Sequence, residues 1–207
     1  MRRIVVAALL VSLVAGLVST ASASTTTRRS IPGAGASIVI PTAWSVLDRR
    51  TVTSSVAFKR FIDENPSLRP FVAQMAGANS AIKLMAFDLD LSQGFATNIN
   101  VVLSGPAPRL SLTQIAAIYR RELEARLSTI VGPVATSAVT LPAGKAVRAS
   151  YKVRFVNQGR RLTVQTLQYL VLGGDKSLVV TFSTLPAQAS RRNGTFAAIA
   201  RSLRFTS

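Results

Sequence analysis

The last third of the chain constrains the fold most, because three β-type runs follow one another with little chain between them. Residues 146–156, 162–172 and 178–184 are rich in β-branched and aromatic side chains. Turn formers separate them: residues 157–161 first, then Gly173, Gly174 and Asp175. Connections this short join antiparallel neighbours, since a parallel pair needs a long crossover. The first run also sets two faces. Val147, Ala149, Tyr151, Val153 and Phe155 point one way, toward a core. Arg148, Ser150, Lys152 and Arg154 point the other way, and Arg160 and Arg161 sit in the next turn.

The rest of the chain supplies partners for that meander. Residues 37–40 read as a strand stopped by Pro41 and continued by residues 44–47. Residues 58–76 read as two short helices or a helical lid, with Pro66 opening the second piece. Residues 82–91 and 95–103 form a hairpin around Ser92, Gln93 and Gly94. Pairing Leu91 with Phe95 sets Phe87 opposite Ile99, Met85 opposite Val101, and Asp88 opposite Asn98 on the polar face. Ser111 with Gln114 is a capping box. It opens a helix whose apolar stripe runs from Leu112 to Ile130 and which Gly132 and Pro133 end. Pro186 opens a last helix that buries Phe196, Ile199 and Leu203. The order predicts an α+β fold: an α/β/α sandwich with a mostly antiparallel sheet of about six strands covered by helices.

The first 23 residues read as a secretory signal peptide. Arg2 and Arg3 precede an apolar run, and Ala21, Ser22 and Ala23 form a small-residue cleavage site. Residues 24–36 then read as a flexible leader, and residues 37–207 as a single domain. The chain has no cysteine. It therefore has no disulfide and no thiol to carry a lipid anchor, so an exported, extracytoplasmic protein that is not a lipoprotein is expected. Histidine is missing too. Together the two absences close the Ser-His-Asp triad, thiol catalysis and most transition-metal sites, and no cofactor is expected.

The formal net charge is +17. Such a chain is drawn to polyanions, and export makes nucleic acid the least fitting of them. Arg148, Lys152, Arg154, Arg160 and Arg161 form one cationic neighbourhood able to hold a headgroup phosphate by charge-assisted bonds. The plainer reading of the same residues, and the favoured one, is a solvated strand face whose long stems lie over apolar neighbours. A Walker loop is excluded at Gly144-Lys145. Val139 stands at its first glycine, Ala146 at its Ser/Thr position, and a strand follows where a helix is required. Ser80 and Lys83 match S-x-x-K, but the companion motifs are missing and a strand begins at Ile82. Asp88 and Asp90, on one strand face beside Asn98 and Asn100, are candidates for a hard cation or for acid–base work. The plainer alternative is pairing with surface arginines.

Several segments in this order resemble the LpqN-like family of actinobacterial exported proteins, within the wider PsbP-like and Mog-like α/β/α sandwich group. They are "IVIPTAWSVL", "LMAFDLDL", "TNINVVL", "VTLPAGKAVRASYKV", "LTVQTLQYLVLGG", "SLVVTFST" and "FAAIARSLRF". The resemblance implies a non-catalytic, extracytoplasmic binding or accessory module of the cell envelope, with a lipid, glycolipid or envelope protein as partner. It supplies no catalytic residues. Many relatives are lipoproteins, and this chain departs from them in lacking the cysteine. A structural subunit without a small ligand and a hydrolase using Asp88 or Asp90 are the competing readings.

Overall fold

The computed structural model describes residues 25–47, 63, 80–88, 95–157 and 160–206, with the backbone alone for Phe155, Asn157 and Arg160. The segment read as a signal peptide, the stretch 58–76 read as helices or a lid, residues 92–94 read as the hairpin loop, and Asp90 lie outside the described residues. Ten strands and two helices are described. In chain order they are β1 (Thr26–Ile31), β2 (Ala36–Pro41), β3 (Trp44–Leu47), β4 (Ile82–Asp88), β5 (Asn98–Gly105), α1 (Leu112–Arg126) and β6 (Ile130–Leu141). There follow β7 (Gly144–Asn157), β8 (Arg160–Gly173), β9 (Lys176–Thr184), α2 (Pro186–Ser202) and β10 (Arg204–Phe205). Seven strands form one antiparallel sheet in the order β3-β4-β5-β9-β8-β7-β6, and β1-β2-β10 form a small second sheet.

The expected meander is present with one strand more. The apolar stripe of α1 was expected to run on to Ile130, but the helix stops at Arg126, where the Leu127 N–H bonds back to Leu123. Residues 130–141 are instead strand β6, which pairs with β7 along its length. Gly132 and Pro133 do not end a helix. They sit where the β6–β7 register breaks between Val131 and Ala135, with Gly132 at φ 78°. Proline is tolerated there because β6 is an edge strand and a bulge spares it a ladder bond. The long crossover through α1 carries the chain from β5, inside the sheet, to β6 at its far edge. Ser111 caps α1 as its sequence requires. Its hydroxyl accepts from the Gln114 N–H, and the Gln114 side chain accepts from the Ser111 N–H.

Two further expectations change. The stretch read as a flexible leader forms β1, which pairs with β2 over six residues from Thr26 opposite Pro41 to Ile31 opposite Ala36. Gly33 and Gly35, both at positive φ, make the turn that returns the chain. The β4–β5 register is also displaced by one residue, with Phe87 opposite Asn98, Ala86 opposite Ile99 and Met85 opposite Asn100. A one-residue slip exchanges sheet faces. Asn98 and Asn100 therefore share a face with Met85 and Phe87 and are buried, while Asp88 lies on the opposite face.

The sheet separates two cores. On one side Tyr119 and Leu123 of α1 pack on Val147, Ala149, Tyr151 and Val153. On the other, Phe196 and Ile199 of α2, together with Ile38 and Ile40 of the small sheet, pack on Tyr169, Val171 and Phe182. Phe182 meets Tyr169 edge-on at 6.1 Å and Phe196 in a tilted stack at 4.8 Å.

Burial on the α1 side has a consequence at high pH. It pushes the phenols of Tyr119 and Tyr151 far above their ordinary value, and their mutual proximity raises Tyr151 further. Unfolding exposes both groups, which then lose protons from about pH 10. Their contribution to stability is complete below that pH and is lost as pH rises above it, because the folded state keeps protons the unfolded state releases. The urea midpoint is expected to be lower at about pH 11 than at about pH 9. Tyr151→Phe, which removes a buried hydroxyl that has no partner among the described residues, should lessen this fall without lowering the midpoint at neutral pH.

Candidate functional site

The alternation of β7 builds the candidate surface. Val147, Ala149, Tyr151 and Val153 are each 2% exposed or less, which commits the intervening residues to the other face. Arg148, Lys152 and Arg154 are exposed there, and Ser150 is half-buried. The neighbouring strand extends the patch. Arg154 lies opposite Thr163 on β8, and Arg161 lies opposite Val156, so Arg161 is the diagonal neighbour of Arg154 on the same face. From Arg148 to Arg154 the stripe is about 20 Å long at the rise of a strand. Among the described residues no carboxylate pairs with Arg148, Lys152, Arg154 or Arg161. Arg160 pairs through its backbone with Asn157, and its side chain lies outside the described set. Four of the five expected cations thus share one exposed sheet face.

At one end the stripe borders an open groove of about 330 Å³ lined by Ser128, Thr129, Ile130, Val131, Arg154, Val156 and Arg161. The Arg154 N–H donates to the Thr129 carbonyl at 2.8 Å, which ties the α1–β6 connection to β7. Two guanidinium groups and two hydroxyl side chains around a shallow groove are suited to a tetrahedral oxyanion. Val156, 66% exposed, adds an apolar edge. Ser128 and Thr129 escape the sequence reading because the helical stripe was carried through them. The signal that marks them is the pair of β-branched residues Ile130 and Val131 directly after two poor helix formers.

The Asp88 candidate has different surroundings. Arg192 of α2 holds its carboxylate at 2.5 Å. Asn98 and Asn100, the neighbours that the cation reading required, are on the other side of the sheet. Among the described residues no group of three acidic, histidine or cysteine side chains is placed to hold a metal ion.

No family model and no curated protein matches the chain. Its structure is similar to solved ones. The solution structure of cyanobacterial PsbP (CyanoP) from Synechocystis sp. PCC 6803 superposes with a TM-score of 0.52 at 14% identity, over 92% of this chain and 98% of that one. The crystal structure of LpqN, described as involved in cell envelope biogenesis of Mycobacterium tuberculosis, gives 0.51 at 13% identity, over 90% and 93%. The fold is therefore α+β and PsbP-like, with two described helices packed on a seven-stranded antiparallel sheet beside a three-stranded one. Among the described residues no helix is long and apolar enough to cross a membrane.

Proposed function

We propose that the chain is an exported, non-catalytic binding or accessory module of the cell envelope that docks onto an anionic, phosphate-bearing component through the exposed face of β7. The observation that carries this reading is the row Arg148, Lys152 and Arg154 with Arg161, exposed and without acidic partners among the described residues. A surface selected only for solubility mixes both signs of charge; this one does not. The leader sequence and the likeness to LpqN support an extracytoplasmic setting. The lack of histidine and cysteine supports a binding role over a catalytic one.

The test is cosedimentation of residues 24–207 with phosphatidylcholine vesicles, with and without phosphatidylglycerol. The bound fraction is expected to rise with the anionic lipid. It should fall steeply as salt brings the Debye length below about 10 Å. Equal binding to both vesicles, or none to the anionic ones at low salt, would overturn the reading.

A further inference from the structure

The α1-side face of the sheet carries a polar band within its apolar core. Reading across the strands, Asn100, Thr181 and Gln168 are successive cross-strand neighbours on β5, β9 and β8. Asn98, Ser183, Thr166 and Tyr151 form the adjacent row, which ends on β7. All seven are 2% exposed or less. Met85 and Phe87 of β4 flank the two asparagines in the same register. Such a band requires a full set of hydrogen-bond partners, because buried polar groups without them are costly.

Half of the band is satisfied. Tyr119 of α1 donates its hydroxyl to Gln168 Oε1 at 2.9 Å, and Gln168 Nε2 donates to Thr181 Oγ1 at 2.9 Å. This fixes the orientation of the glutamine. Asn98 Nδ2 donates to the Ala96 carbonyl at 3.0 Å. The other half has no hydrogen-bond partner among the described residues: Asn98 Oδ1, both polar atoms of Asn100, and the Tyr151 hydroxyl. Leucine at position 100 would fill a similar volume with no such cost. A fully bonded glutamine thus lies two strands from Asn100, whose polar atoms are both open, and from Asn98, whose oxygen alone is open.

We propose that this face holds a binding site for a small, uncharged, polyhydroxylated ligand, centred on Asn98 and Asn100. Two acceptor oxygens and one amide donor lie on the same side of β5, on residues about 6–7 Å apart. A hydroxyl both donates and accepts, so a polyol answers all three. The ligand is uncharged because no residue of the two rows carries a charge, and a buried phosphate or carboxylate would lack a counter-ion. Phe87 beside Asn98 offers a ring to the C–H face of a sugar. The site lies on the opposite side of the sheet from the cationic stripe, and it stands or falls independently of anionic docking.

The experiment is calorimetric titration of residues 24–207 with glucose, myo-inositol and octyl glucoside, alongside the Asn100→Leu and Asn98→Ala variants. At least one probe is expected to bind the parent protein, and Asn100→Leu should weaken it at least tenfold while raising the thermal midpoint of the free protein. If Asn100→Leu does not fold, Asn98→Ala carries the same expectation for affinity. Tighter binding of octyl glucoside than of glucose supports a lipid-borne headgroup, and equal binding supports a free sugar. Anionic vesicle binding should be unchanged in either variant. The proposal is overturned if no probe binds at millimolar concentration, or if Asn100→Leu binds as tightly as the parent. In either case ordered water is what completes the band.

Discussion

Gly144→Ala is expected to lower the thermal midpoint by roughly 5–15 °C, taking about 2–4 °C per kcal/mol for a domain of this size. Two costs combine. Gly144 opens β7 at φ 131°, a conformation that side chains rarely adopt, and leaving the allowed regions costs about 1–2 kcal/mol. A Cβ there would also stand 2.7 Å from the Leu172 carbonyl oxygen. That atom belongs to the backbone of β8, a strand paired on both sides, so it cannot swing away as a side chain would. Overpacking of this kind adds about 1–3 kcal/mol. Gly33→Ala is the control, since Gly33 has φ 72° with nothing within 4 Å of the added Cβ. It should show the backbone cost alone, about 1 kcal/mol. Scanning calorimetry of both variants decides the matter, and equal losses would remove the close approach from the explanation.

The second large effect concerns the basic strand. Reversing Arg148, Lys152, Arg154 and Arg161 to glutamate should weaken binding to phosphatidylglycerol vesicles by roughly a hundred- to a thousandfold at low salt. Each cation near an anionic surface contributes about 1 kcal/mol. The change alters total charge as well as the patch, so a second variant of equal charge is needed. Arg109, Arg120, Arg121 and Arg201 are exposed elsewhere, and their reversal to glutamate supplies it. If binding follows the position of the charge, this control should lose about tenfold or less, because only long-range, screened attraction is removed. Similar losses in both variants would mean that net charge alone drives binding, and the β7 face would have no special part. All eight side chains are solvent-exposed, so both variants should keep the parent's circular dichroism spectrum.

Strands with one wet face and one dry face were legible in the sequence. β7 declares both of its faces, and the glycine-bearing turns fix its neighbours. The Arg148–Arg154 stripe followed from the same alternation. β6 was not legible, because an edge strand with only two buried positions has little hydrophobic pattern, and its Gly-Pro pair imitates a helix stop. β1 was hidden for a similar reason: it is mostly exposed and is a strand by virtue of pairing with β2. The asparagines of β5 were misplaced for a different cause. Polar residues in an alternating strand are assigned to solvent by default, and only the true register shows that Asn98 and Asn100 face inward.

The small sheet also determines how the molecule bears load. β2 lies between β1 and β10, which come from opposite ends of the described chain. β1 begins opposite Pro41, at one end of β2, and β10 leaves opposite Ala36, at the other. Tension applied between the two chain ends therefore acts along β2 and not across it. The hydrogen bonds of both pairs are strained together, as in a lap joint, and do not open one after another as in a zipper. The weaker half of the joint is β10, with two paired residues and the Thr206 N–H to Gly35 carbonyl bond beyond them. A pull from the ends should release that strand first and then draw on α2, while the seven-stranded sheet is still intact.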